Sequence, residues 1–270
     1  MGHTLLELAR DIAIHAGESA LEARRGGVEV AATKSTATDI VTAVDRDTEA
    51  LIRSLIADAR PGDGVLGEEG DTIDGTSGLN WVVDPIDGTV NFLYGIPSWS
   101  ISVAVVDGPP VPGEWTALAG VVVNPVTGEV FEASAGGGAR GNGRELHVNA
   151  GIALDRALVA TGFGYSAERR LEQAKTLVDL LPKLRDIRRI GSAALDLCAV
   201  ASGRLDAFFE RGLNPWDHAA GGLIVGEAGG FVGGLPGMPE SDRMFVAAGP
   251  GLFETLQTAI ADAERAAGIE

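Results

Sequence analysis

Leu5, Leu8, Ile12, Ala16 and Leu21 recur at near-helical spacing and predict a first helix from Thr4 to Arg24. Residues 28–39 are polar and irregular. A second helix is expected from Asp45 to Ala59, stopped by Pro61-Gly62. Then the pattern shortens into strands: Val65-Leu66, Trp81–Asp84, Ile101–Val106, Leu118–Val123, Glu129–Ala133, and pieces at Ala139 and Leu146–Val148. Asn124-Pro125, Thr127-Gly128 and Gly141-Asn142-Gly143 supply hairpin turns between them. Residues 107–116, with three prolines, read as an enlarged hairpin loop.

Beyond Ala150 strands and helices alternate. Strands at Leu158–Thr161, Ile187–Ile190, Leu205–Phe209 and Met244–Ala247 precede helices at Ala167–Leu181, Ser192–Ser202, Pro215–Ala228 and Leu252–Ala266. Residues 233–243 look loose. The first half therefore reads as α+β with an antiparallel sheet, and the second as α/β. Two subdomains are expected, 1–150 and 151–270, sharing an interface whose cleft is the natural place for a ligand.

Composition narrows the function classes. The 270 residues are 45% hydrophobic and 22% charged, which is the balance of a globular chain, with 38 glycines, many of them in turns, and no fixed period. A net charge of −17, with 21 basic residues interleaved among 38 acidic ones, argues against a nucleic-acid surface. No stretch approaches the ~20 apolar residues of a membrane span. The single cysteine, Cys198, sits in an apolar run and suits a buried structural thiol in a reducing, cytoplasmic setting.

The densest chemical signal is Trp81–Phe92, WVVDPIDGTVNF. An apolar strand ends at Asp84 and Asp87, three residues apart on a turn that Pro85 stiffens and Gly88 relaxes, and a short helix, Thr89–Leu93, follows. A helix start favours an anion while the two carboxylates favour a cation, and a hard divalent metal between them and a bound phosphate resolves the conflict. Glu68 follows the predicted strand Val65-Leu66, and Asp217 falls at the third position of a helix capped by Asn214 and begun by Pro215. Taken singly, each acid has an ordinary role: a solvated turn for Glu68, caps for Asp84 and Asp87, dipole complementation for Asp217. All four together point to a metal centre.

These residues resemble the inositol monophosphatase family of Mg²⁺-dependent, lithium-sensitive phosphatases. The match runs through Lys34, Asp39–Thr42 and Asp45, Gly67–Gly70, the WVVDPIDGTVNF signature, Gly138–Asn149, Arg188–Glu210 and Pro215–Gly230. The resemblance implies a layered αβαβα sandwich, with an N-terminal antiparallel-sheet subdomain and a C-terminal mixed α/β subdomain. It also implies two or three Mg²⁺ ions: a first on Glu68, Asp84 and the Ile86 carbonyl, a second on Asp84, Asp87 and Asp217, and a weaker third on Glu68. Thr89, polarised by Asp45, and Glu68 would orient the attacking water, and the Gly88 and Thr89 amides would receive phosphate. Gly191, Ser192, Ala193 and Glu210 would meet the organic half of the substrate, with Asp87 and Asp217 also at its edge. Lys34 would belong to a metal-dependent flap.

The activity so implied is hydrolysis of myo-inositol monophosphate by metal-activated water. Histidinol phosphate, fructose 1,6-bisphosphate and adenosine 3′,5′-bisphosphate remain alternative esters, and a regulatory protein-binding role is a further alternative. A homodimer is expected, with neither nucleic acid nor membrane as partner. His218, beside Asp217, departs from the small or apolar residue usual there; successive helical side chains diverge by ~100°, so it is expected in packing or solvent rather than at the metal.

Overall fold

The computed structural model describes residues 4–26, 30–33 and 40–269. Helix α1 (Leu5–Arg25) is followed by the antiparallel pair β1 (Val30–Thr33) and β2 (Ile40–Thr42), then by α2 (Ala43–Ala59). Strands β3 (Gly64–Gly67) and β4 (Leu79–Asp87), helix α3 (Thr89–Tyr94), and strands β5 (Ser100–Asp107), β6 (Thr116–Asn124), β7 (Glu129–Ser134), β8 (Ala139–Gly141) and β9 (Arg144–Glu145) complete the first half. The second half runs β10 (Leu158–Thr161), α4 (Ala167–Leu180), β11 (Asp186–Arg188), α5 (Ala193–Ala201), β12 (Ala207–Glu210), α6 (Pro215–Glu227), β13 (Phe231–Gly233), β14 (Phe245–Ala248) and α7 (Phe253–Ala266). Lys34 and Asp39 lie outside the described residues.

Strands β3 to β9 form a seven-stranded sheet in sequence order. It is antiparallel except that β3 runs parallel to β4, because the connection between them crosses over instead of turning back. The five-stranded sheet, ordered β11-β10-β12-β14-β13, is mixed: β11, β10 and β12 are parallel, whereas β14 is antiparallel to both neighbours. Strand β13, not expected from the sequence, pairs with β14 and ends at Gly233, where the segment expected to be loose begins. Leu146–Val148, expected as strand, lies outside the ladders, where Val148 N instead donates to the Ala228 carbonyl.

The two sheets stack as an αβαβα sandwich. Period-2 alternation sends Trp81 and Val83 to the outer face of the larger sheet, where they pack with Ala9, Ile12 and Ala16 of α1 and Ile52 and Ile56 of α2. Val82 and Ala104 point the other way, into the core that α5 and α6 fill between the sheets with Leu197, Ala220 and Ile224. Val159, Ala207 and Val246 of the smaller sheet pack beneath Leu256 and Ile260 of α7. Fully burying one such aliphatic or aromatic side chain contributes roughly 1.5–3 kcal/mol, so the three cores fix the layers, and with them the ends of β4, β12, α5 and α6. No helix among the described residues is long and apolar enough to cross a membrane.

Candidate active site

Residues i and i+3 of an unbroken strand face opposite sides of a sheet, so Asp84 and Asp87 should diverge. They do not, because the ladder between β4 and β5 slips there: Asp84 pairs with Ser102, and the next pair, three residues on, is Asp87 with Ser100. Three steps on β4 oppose two on β5, the signature of a bulge, which swings the second acid back to the face of the first. Pro85 sits inside the bulge, where its missing N–H costs no ladder bond. Both carboxylates then face the layer between the sheets, at its open end.

Asp217 meets them there from α6. One oxygen each of Asp84, Asp87 and Asp217 lie within 4.8 Å of one another. Helix-start chemistry holds Asp217, whose Oδ2 accepts from Asn214 N at 2.6 Å. Asp87 is tied to α5: its Oδ2 accepts from Ser192 Oγ at 2.5 Å and Ala194 N at 2.8 Å, and its Oδ1 accepts from Ala193 N at 3.3 Å. Asp84 Oδ1 accepts from Ile86 N at 3.0 Å. Two more cross-layer contacts lock the corner, Ser100 Oγ to Ser192 Oγ at 3.3 Å and Ser102 Oγ to the Trp216 carbonyl at 3.3 Å.

Thr89 Oγ1 lies 3.0 Å from Asp45 Oδ1 and 3.1 Å from the Ile86 carbonyl. Asp45 is the third residue of α2, and its other oxygen accepts the Thr42 N–H at 2.9 Å and the Thr42 hydroxyl. Gly88 begins α3 with φ +98°, and a Cβ there would stand 2.9 Å from the Gly191 carbonyl, so the close approach of these two loops requires glycine.

A cleft of about 490 Å³ opens from this acidic corner. Glu68, Asp84, Ile86, Asp87, Gly88, Thr89, Gly191, Ser192, Ala193, Glu210 and Asp217 all line it, so two halves of the chain contribute. Of the residues expected here, only Asp45 works from behind the wall. Ser192 and Ala193 reach the cleft, but Ser192 Oγ and Ala193 N are engaged by Asp87. Glu210 ends β12 beside the end of β10, where Gly162 makes room: a Cβ on Gly162 would fall 2.0 Å from Glu210 Oε2.

Electrostatics single out the same corner. Burial raises Asp87; burial, then the charges of Glu68 and Asp87, raise Asp217 well above the usual carboxylate range. Burial pushes Glu210 up to about 7, eased by Arg189. Two lining groups escaped the sequence reading. Asp196, 2% exposed, is raised by burial and then by Asp87 to about 8, and Arg189 offsets both acids. A signal existed for Asp196, because it is the lone charge in the apolar helix run Ala193–Ala201.

His218 is buried away from the acids, its ring centroid 4.7 Å from that of Phe245 and 6.0 Å from that of Trp115. Burial lowers it to about 3, which keeps it neutral. Cys198 is buried and free. The donors that converge are therefore oxygens alone, from carboxylates that repel unless a cation joins them. That set fits a hard divalent ion and not a thiophilic one.

A profile of the inositol monophosphatase family matches residues 2–265. This chain belongs to the inositol monophosphatase family. It is 47% identical over 251 residues to the inositol-1-monophosphatase of Mycobacterium leprae, spanning 87% of this chain and 82% of the relative. The Nus factor SuhB of Escherichia coli K12 is 40% identical over 240 residues, 87% of this chain and 86% of that one. Among solved structures, the Thermotoga maritima IMPase superposes with a TM-score of 0.86 at 30% identity, covering 97% of this chain and 99% of its own. The shared fold extends to a metal-dependent phosphatase class, with which the carboxylate cluster agrees.

Proposed function

We propose that this protein is a Mg²⁺-dependent phosphomonoesterase acting on small polyol phosphates, with myo-inositol 1-phosphate as the preferred ester. The observation that carries the reading is the convergence of Asp84, Asp87 and Asp217 within 4.8 Å on the wall of a cleft that Glu210 also lines.

Asp84, Asp87 and Asp217 would hold the cation, joined by Glu68 and the Ile86 carbonyl at the same wall. When bound, Mg²⁺ supplies charge against the ester oxygens and acidifies water. The protein's own groups do the rest. Both neighbours of Thr89 Oγ1, Asp45 and the Ile86 carbonyl, are acceptors, so the hydroxyl proton is committed to them. The remaining lone pairs can only accept. A water that donates a proton to Thr89 therefore turns its own lone pair away from the wall, toward phosphorus. Gly88 and Thr89 line the cleft beside the acids and are the candidate backbone seat for phosphate.

Glu210, seated on Gly162, accepts from two neighbouring hydroxyls of a polyol and disfavours a second phosphate beside it. Phosphate release measured with Mg²⁺ from inositol 1-phosphate, histidinol phosphate, fructose 1,6-bisphosphate and adenosine 3′,5′-bisphosphate tests the reading. The inositol ester should give the largest kcat/KM; a preference for histidinol phosphate, or no turnover of any ester, overturns it.

A second reading has support from the 40%-identical relative named as a Nus factor. A protein-binding role would survive loss of the acidic corner, so partner capture by an Asp217→Asn variant distinguishes it from a role that needs turnover.

A further inference from the structure

Glu68 sits on a four-residue turn, Gly67–Gly70, that begins at the last residue of β3. A side chain outside the cleft grips this turn from behind. Glu49 of α2 is 2% exposed, and its two oxygens face successive amides of the turn. Oε2 accepts from Glu69 N at 2.7 Å and Oε1 from Gly70 N at 2.8 Å. Arg53, one helical turn further on, donates Nε to Glu49 Oε1 at 2.8 Å. The same guanidinium reaches the Gly70 carbonyl at 3.2 Å and the Asp71 carbonyl at 3.0 Å. The turn is built to let the carboxylate in: a Cβ on Gly67 would stand 2.6 Å from the Glu49 carboxylate, and one on Gly70 would stand 3.0 Å from Oε1.

Asp45 and Glu49 are four apart on one helix and so share a face. Asp45 holds Thr89, at the end of β4, and Glu49 holds the turn at the end of β3. One rigid helix thus sets the spacing between Glu68 and the Asp84–Asp87 bulge. A surface turn needs no buried carboxylate to close, and burying one beside two amides and a guanidinium fixes backbone position more tightly than glycines would alone.

We propose that Glu49 is a positioning residue for the metal centre, holding Glu68 in register with Asp84, Asp87 and Asp217. This rests on the reading that those acids bind a divalent cation. Partners that orient metal ligands typically contribute about 10–100-fold to metal affinity, and Glu49→Gln keeps the shape while removing the charge and one acceptor.

The test is Mn²⁺ binding to the full chain by EPR, with melting in EDTA as the control for folding. Glu49→Gln should bind Mn²⁺ about tenfold more weakly. The Mg²⁺ concentration for half-maximal activity should rise in parallel, while KM for ester at saturating Mg²⁺ stays within about twofold. Parent protein that fails to bind Mn²⁺ sinks the metal reading itself. Parent that binds, with a folded Glu49→Gln that binds equally well, overturns the role of Glu49. If Glu49→Gln does not fold, Gly67→Ala sets a methyl 2.6 Å from the Glu49 carboxylate, displacing the anchor while every acid stays in the sequence; unchanged Mn²⁺ affinity there overturns the proposal, and a weakened one supports it.

Discussion

The Thr89 hydroxyl lies 3.0 Å from the Asp45 carboxylate, joining the start of α3 to the first turn of α2 across a buried contact. Asp45→Asn offers an amide that can present either hydrogen or oxygen to Thr89, so the direction of the hydroxyl proton is lost. We expect kcat to fall about 100-fold or more with little change in KM, the pattern of an interaction made mainly in the transition state. Thr89→Ala should fall similarly, and Thr89→Ser should recover most of the loss. Steady-state phosphate release checks all three; a Thr89→Ala enzyme with parental kcat rules the arrangement out.

The acidic corner makes metal-free stability pH-dependent in an unusual direction. Burial raises Glu210 to about 7 and Asp196 to about 8, and raises Asp87 and Asp217 as well. Above the ordinary carboxylate range the unfolded chain has released protons that these folded groups still hold, so stability falls as pH rises through 7 and 8. In EDTA, the melting temperature should drop between about pH 5.5 and pH 8.5. Added Mg²⁺ should raise it more at the alkaline end, where the acids are free to ligate. A flat or rising profile in EDTA contradicts the assignment.

Asp217→Asn removes a carboxyl whose charged form burial and its acidic neighbours disfavour, yet keeps an acceptor for the Asn214 amide. Metal-free protein should gain about 1 kcal/mol by urea denaturation, the usual exchange of activity for stability at a strained site. Phosphate release should fall to near background, and Mg²⁺ should no longer shift the midpoint.

Gly162→Ala places a methyl 2.0 Å from where Glu210 Oε2 now lies, so the carboxylate must move. Hydrogen bonds to a charged group contribute about 1.5–3 kcal/mol, and their loss should lower kcat/KM for inositol 1-phosphate by about tenfold or more. Glu210→Ala should act alike, whereas an ester lacking hydroxyls should be hydrolysed much as by the parent. Equal losses on both esters would place Glu210 outside polyol recognition.

Much of this was legible before any coordinate. Helix limits came within a residue or two wherever caps marked them, as at Thr4 and Asn214, and the alternation after Ala150 marked the layers. The parallel pairing of β3 with β4 was not legible, because the crossover between them carries no helix to announce it. Nor was the bulge at Asp84–Asp87: spacing placed two acids on one turn, but only the slip against Ser100 and Ser102 brings them to one face. Glu49 carries no mark in the sequence, since its partners are backbone amides about twenty residues on, and an amide leaves no side-chain signature.

The bonds from Ser192, Ala193 and Ala194 to Asp87 carry a consequence for biosynthesis. A nascent chain that has completed the larger sheet already holds Glu68, Asp84 and Asp87, but neither the helix start that caps Asp87 nor Asp217. Because folding during synthesis proceeds from the N-terminal side, the growing polypeptide carries an unfinished, self-repelling pocket until α6 has left the ribosome. Competence for turnover should therefore arise late and abruptly, after the last third of the chain docks.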